Sequence, residues 1–598
     1  MSSLRLFATG LLVLFAVSMA RSAGASYLDR PFADDTMYFL VLDRFAKNEG
    51  DGAGLPGVDP TNARFFHGGN LKAATAKLDY IKGLGATAIW MTPIFVNQTF
   101  STHDPKWPDS TGYHGYWILD FLHVDPHFGT EEDLRAFIAE AHKRDIKVFF
   151  DIVINHTGDV IRYRECPDRR CPYRSKADFP YSRRAADGEP INPGFAGDDA
   201  AHQTEENFAQ LTDLDYAYTP YIPAGQEHAK NPDWLNDPRY YHNRGATNFK
   251  GESATYGDFG GLDDVFTENP IVVNGMVAIY QYWIDKFHID GYRIDTARHV
   301  DIAFWQRFIP QILDFARAKG IPNFFIFGEV ADFSDDSVML AQFTREAKFP
   351  GALDFAFADE VAKIAAGGGN ALDFAHIFQA DSLFEGGTDG ADNQPTFVSN
   401  HDDGRLAYKI RKRMPAMPAD EVMARVRLAH ALLYFSRGVP IVYYGDEQGF
   451  MGSGDDAESR QDMFPTQVAA YASEEKLGAP ATGGDHFNPD HPLYRAFAEL
   501  GALRNRYATL RRGKFILRPN DAQGLITFER RDPVSGEEFL IAVNTAKVPR
   551  EAAVEIGYDR LAWQSGHGSC AAKPVSPGSY RVAVPALDYI VCLSRTTP

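Results

Sequence analysis

Several things are scarce in this sequence. Only 4 of its 598 residues are cysteine, falling as two distant local pairs, Cys166 with Cys171 and Cys570 with Cys592. They form no tight cluster of sulfur and nitrogen ligands, so a thiolate metal centre is not indicated. Beyond the N-terminal segment no apolar run approaches the roughly 18 residues of a membrane-spanning helix. Basic residues are in the minority: 60 Lys and Arg stand against 80 Asp and Glu, a formal net charge of −20. An acidic surface repels phosphate backbones and anionic lipid, so neither a nucleic-acid nor a membrane-surface partner is expected. A glycine-rich phosphate loop, an internal repeat and a low-complexity tract are all missing.

What is present is apolar and aromatic mass. Hydrophobic residues make up 44% and aromatics 13%, including 44 Phe and 27 Tyr. The length exceeds one ordinary core, so a large domain with attachments is the expectation. Residues 1–25 read as a signal peptide: Arg5 is a positive start, Leu6 to Ala20 is apolar, and Ala23-Gly24-Ala25 or Ser18-Met19-Ala20 offers a cleavage site. An uncleaved anchor is the alternative. Export to a secreted or periplasmic location means oxidising conditions, which predicts disulfides Cys166–Cys171 and Cys570–Cys592.

Strand-like and helix-like segments alternate. Eight short apolar strands are expected at Met37–Leu42, Thr87–Met91, Ile146–Ile154, Gly291–Ile294, Phe324–Gly328, Ala352–Phe355, Thr396–Val398 and Ile441–Tyr444. A helix over Pro270–Phe287 carries Val272, Met276, Ile279, Tyr280, Trp283, Ile284 and Phe287 on one stripe, behind an Asn269-Pro270 start. Another, about Thr130 to Arg144, begins with Thr130 and Asp133 spaced as a cap. The expected fold is α/β, a (β/α)8 barrel in residues 26–156 and 267–511. Residues 157–266, rich in Pro, Gly, Asp, Asn and Tyr, form a lobe inserted after the third strand. Residues 512–598 turn to short strands and read as a C-terminal antiparallel β-sandwich.

Function in such barrels sits where strands end. Here those ends are polar: Asp151-Ile152-Val153-Ile154-Asn155-His156, Arg293-Ile294-Asp295, Gly328-Glu329 and Ser399-Asn400-His401-Asp402. Any one Asp alone is best read as a salt-bridged or capping acid; four polar strand ends together are not. Asp295, Glu329 and Asp402 should converge on one pocket. Glycoside hydrolysis needs one ionised carboxylate to attack and one protonated acid to donate. Arg293 shares a strand face with Asp295 and should keep it ionised, while Glu329 should be raised.

With those segments, and with Gly85 through Ile94, Tyr113-His114-Gly115-Tyr116-Trp117 and Gly438 through Glu447 in order, the sequence resembles the α-amylase family of glycoside hydrolases (family 13) over nearly the whole mature chain. The resemblance implies an α-glucan substrate. It makes Asp295 the nucleophile, Glu329 the general acid/base and Asp402 the acid that clamps the distorted sugar. It makes Tyr116, His156, Arg293, His401 and Asp151 substrate-binding or site-building residues, with His114 and Trp117 beside Tyr116. Arg298 and His299 imply contact beyond the cleaved bond and favour α-1,4 linkages. Calcium is implied as a structural ion, on Asn155, the carbonyl of His299 and a carboxylate of the lobe. Leu211-Thr212-Asp213-Leu214-Asp215 resembles the family motif for that carboxylate, but position favours Asp263 in Gly261-Leu262-Asp263-Asp264. A monomeric retaining hydrolase of α-1,4-glucans is therefore expected. An α-glucosidase, maltogenic or transglycosylating enzyme is the nearest alternative, and a non-catalytic glucan-binding barrel a distant one.

Overall fold

The computed structural model describes residues 26–594 apart from 103–107, 168–169, 332–336, 368–370, 453, 455, 557–562 and 571–572. The signal peptide expected at 1–25 lies outside the described residues.

Eight parallel strands form the barrel: β1 (Met37–Leu40), β2 (Ala88–Met91), β3 (Lys147–Val153), β4 (Gly291–Asp295), β5 (Phe325–Gly328), β6 (Gly351–Ala352), β7 (Pro395–Thr396) and β8 (Val439–Tyr443). Their order is β6-β5-β4-β3-β2-β1-β8-β7. A parallel bridge from Asp354 to Thr396 joins the two ends of that sheet. Every residue of β1, β2, β3, β4 and β8 is buried. That explains apolar runs in place of alternation, since helices cover one face and the barrel interior the other.

Two strands fall short of expectation. β6 stops at Ala352 because Asp354 caps the next helix, Phe355–Ala365, accepting from the Phe357 N–H at 3.1 Å. β7 ends at Thr396, and a few residues on the Asn400 side chain accepts from the N–H groups of Asp402 and Asp403, turning the chain. The helices follow the sequence more closely. In α1 (Glu131–His142), Thr130 and Asp133 form the reciprocal capping box. In α2 (Pro270–Phe287), Asn269 accepts from the Ile271 N–H, and the whole expected stripe is buried.

The segment between β3 and α2 returns to the barrel as a two-residue ladder, His156–Thr157 against Asp263–Asp264. Its interior is tyrosine packed around the Arg244 guanidinium, which lies 4.4 Å from the Tyr181 ring centre and 5.1 Å from that of Tyr216. The C-terminal strands are β9 (Lys514–Leu517), β10 (Leu525–Arg531), β11 (Glu538–Asn544), β12 (Arg550–Glu555), β13 (Gln564–His567), β14 (Lys573–Ser576), β15 (Ser579–Val584) and β16 (Asp588–Ser594). They make two antiparallel sheets, β9-β10-β11-β16-β13 and β12-β15-β14. β13 and β14 have no apolar alternation, which is why the sequence does not announce them. Both expected disulfides, Cys166–Cys171 and Cys570–Cys592, are present. Among the described residues no helix is long and apolar enough to cross a membrane.

Candidate active site

The site is organised around one guanidinium. Arg293 lies in the middle of β4, its side chain 1% exposed, directly across the ladder from Asp151 on β3. Its Nη1 donates to both oxygens of Asp151, at 2.8 and 3.0 Å, and to Asp295 Oδ1 at 2.8 Å. Its Nη2 donates to Glu329 Oε2 at 2.8 Å. Three carboxyl groups from three adjacent strands therefore share one cation. Glu329 follows directly from β5, and its N–H donates to the Ile294 carbonyl. A side chain at Gly328 would come within 2.8 Å of the Phe349 ring and 3.1 Å of Ala297 Cβ, so glycine is needed before it. Thr296, at a left-handed φ of 48°, aims its N–H at Glu329 Oε2, 3.0 Å away.

The second half comes from the loops. Tyr116 donates its hydroxyl to Asp151 Oδ2 at 2.9 Å and lies 2.7 Å from His401 Nε2. Nε2 is also 3.1 Å from Asp402 Oδ2. Both contacts are satisfied when the proton sits on Nε2. Asp402 takes a further bond, 2.7 Å, from Arg460 Nη2, while Arg460 Nε donates to the His401 carbonyl at 3.0 Å. Asp402 keeps 43% of its side chain open to solvent, whereas Asp295 keeps 10% and Glu329 15%.

Burial sets the acidities. It lifts Glu329 to about 7, against the pull of Arg293. It lifts Asp295 and Asp151 to about 6, again only partly offset by Arg293. Arg293 pulls against that rise, but desolvation outweighs a cation shared among three acids. Asp402 ends below its ordinary value despite the desolvation of its inner side, because the His401 Nε2–H and the guanidinium groups of Arg460 and Arg293 favour its charged form. Burial drives His401 and His114 down to about 3 and His156 to about 4, so all three rings are neutral.

The expected residues divide into groups. Asp151, Arg293, Asp295, Glu329, Tyr116, His401 and Asp402 form one bonded network. His156 adjoins it, with Nε2 3.2 Å from the Tyr116 carbonyl and its ring stacked on Phe259. His114 supports Tyr116 from below: its Nδ1 accepts the Tyr116 N–H at 3.1 Å. Trp117 is a prop, its N–H on Asn97 Oδ1 and its ring edge-on to His114. Arg298 donates to the Ala331 carbonyl, two residues beyond Glu329, and His299 lies edge-on to Phe259 and Phe249. Sequence reasoning missed Trp90, whose Nε1 donates to Asp151 at 3.0 Å; strand alternation in β2 could have found it. It also missed Arg460, which lies in an irregular segment with no motif to mark it.

Of the implied calcium ligands, Asp263 does not suit that ion, and its assignment is corrected. Asp263 Oδ2 lies 2.5 Å from Lys230 Nζ and accepts the N–H groups of Val160 and Ile161, both at 3.0 Å. Its Oδ1 accepts from Ile161 as well, at 3.2 Å. An ammonium already neutralises the carboxylate, and a hard divalent ion beside it would be repelled. Asn155 Nδ2 faces His156 Nδ1 at 3.3 Å and the His299 ring engages the Ala254 carbonyl, contacts that leave the Asn155 Oδ1 and the His299 carbonyl unengaged. Asp213, the other sequence candidate, is paired with Arg184.

The model of the α-amylase catalytic domain matches residues 39–481, a span that holds every residue of the bonded network. The chain belongs to the α-amylase family. It is 41% identical over 538 residues to an α-amylase of Streptomyces lividans, an alignment covering 90% of this chain and 57% of that one. It is 27% identical over 500 residues to a cyclomaltodextrin glucanotransferase of Klebsiella oxytoca, covering 77% and 66%. The chain thus spans little more than half the length of the Streptomyces relative. Among solved structures, an Anoxybacillus α-amylase superposes with a TM-score of 0.68 at 25% identity, covering 95% of this chain and 99% of that one.

Proposed function

We propose that this α-amylase-family protein hydrolyses α-1,4-glucosidic bonds of starch, glycogen or maltodextrins with retention of configuration. The observation that carries the reading is Arg293. One planar guanidinium holds Asp295 on one nitrogen and Glu329 on the other. Two carboxyls kept that close suit the retaining geometry, about 5–5.5 Å apart, better than the wider inverting one.

Asp295, held by Arg293 Nη1, attacks the anomeric carbon. As the new C1–O bond forms, the glycosidic C1–O bond breaks and the Glu329 proton passes to the leaving oxygen. Water then attacks C1, Glu329 takes its proton, and the bond to Asp295 breaks. Asp402, charged and open to the cleft, meets the sugar hydroxyls, held by Arg460 and His401. Tyr116 and the neutral rings of His156 and His401 line the cleaved-bond subsite. The two disulfides suit an exported protein.

Transfer to a sugar acceptor shares the first half of this chemistry. Phe249, 53% exposed, and Phe259 offer an apolar surface beside His299 on which an acceptor ring can stack. The deciding experiment follows products from soluble starch and from maltotriose, with their anomeric form read by NMR. Early mixed α-configured oligosaccharides are expected, and early β-anomers would overturn retention. Products longer than the substrate would favour transfer. Asp295→Asn should lose roughly 10⁴- to 10⁶-fold in kcat with an unchanged fold; near-normal turnover would remove Asp295 from its role.

A further inference from the structure

The disagreement between calcium and Asp263 has a positive side. Lys230 comes from the far part of the inserted lobe. Its backbone is fixed: the N–H bonds Asn236 Oδ1 at 2.9 Å, and Asn236 Nδ2 bonds the Lys230 carbonyl at 2.7 Å. The next residue, Asn231, ties into the barrel loops through the Leu119 carbonyl and the Phe121 N–H. The Lys230 side chain is 1% exposed and that of Asp263 5%, and Nζ also lies 4.0 Å from the centre of the Tyr241 ring. The ammonium is therefore fully desolvated, and Asp263 and the tyrosine face are what compensate it.

Asp263 gathers three separate pieces of backbone. It sits on the ladder opposite Thr157, one residue from the candidate-site His156. It accepts from the turn at Val160 and Ile161, and it takes the ammonium of the loop at Lys230. Both partners belong to the lobe, and the barrel enters through their neighbours: Asn231 is bonded to Leu119 and Phe121, and Thr157 follows His156, so the pair pins the lobe where its chain meets the barrel. Asp159 faces the same spot but is paired with Arg162.

We propose that Lys230 is the built-in cation of the lobe–barrel junction, doing with a covalently attached ammonium what a bound divalent ion would otherwise do. The junction then holds without calcium. This inference concerns stability and is tested by it, so it stands or falls apart from the proposed hydrolysis.

The test uses the full chain and compares Tm in excess EDTA with Tm in calcium chloride. Wild type should melt at the same temperature in both. Lys230→Met and Asp263→Asn should each lower Tm by roughly 5 °C or more, because each leaves the other charge buried and unpaired. The double variant should lose less than the sum of the two. Lys230→Arg keeps the charge and covers the case in which Lys230→Met does not fold; it should stay indifferent to EDTA. A wild-type Tm that falls in EDTA and returns with calcium overturns the proposal, and so does additive behaviour of the two single variants.

Discussion

A single buried arginine carrying three acids makes a sharp statement about pH. Asp295 works ionised and is lifted to about 6, so activity should fall as pH drops through about 6. Glu329 works protonated and is lifted to about 7, so activity should fall as pH rises through about 7. A narrow bell in kcat/KM is expected, its limbs belonging to the coupled pair and not to either acid alone. An activated aryl glycoside separates them, because its leaving group needs no proton. With that substrate Glu329→Gln should keep the acid limb and lose the alkaline one; an alkaline limb that persists would assign it to another group. Local rules of strand alternation found Arg293 and Asp295 together. They could not say how much burial would count against the arginine, because desolvation is set by everything packed around the strand.

Elements differ in how they earn their stability. The capping box of α1 is exposed and local: Thr130 and Asp133 satisfy two helix-start donors between themselves. α2 is held by packing instead. Trp283 is fully buried, stacks on Phe287, meets Phe95 and Phe150 edge-on, and donates its indole N–H to the Phe121 carbonyl at 2.7 Å. Thr130→Ala should therefore cost about 1 kcal/mol in denaturant unfolding. Trp283→Ala should cost about 3–5 kcal/mol, from the cavity and the orphaned carbonyl together. Equal losses would mean that α2 does not rely on its buried face as described. Both elements were legible because each follows a repeating local pattern. The early end of β6 was not, since Leu353-Asp354-Phe355 suits a strand by composition and Asp354 becomes a helix cap only once β5 and β7 surround it.

At the scale of the whole molecule, the larger C-terminal sheet is covered on both sides. Phe528, Phe539, Ile541, Val543 and Val591 share the core of the barrel. Leu525, Leu540, Ala542, Ile590 and Cys592 pack instead against Val554, Tyr580 and Val582 of the smaller sheet. Every residue of β11 is buried in consequence. Phe515 and Phe528 reach Phe374 and Phe378 of the barrel helices directly. The barrel and the sandwich should thus unfold together. A chain ending at residue 512 should expose this apolar face and lose soluble expression; a soluble, cooperatively melting fragment would show that the barrel stands by itself.

The alternation of strands and helices, the acids at four strand ends and both disulfides were already set in the sequence. Those are properties of short windows: apolar runs, caps, turn residues and cysteines that fall as two local pairs. Tertiary structure alone decided which groups meet across long separations. It brought Arg460 onto Asp402, spread one guanidinium over Asp151, Asp295 and Glu329, and put the Lys230 ammonium on Asp263, where the sequence suggested a calcium ligand. The physical reason is that charge pairing and desolvation depend on distance in space, and Lys230 and Asp263 lie 33 positions apart along the lobe with no periodic pattern to report the contact.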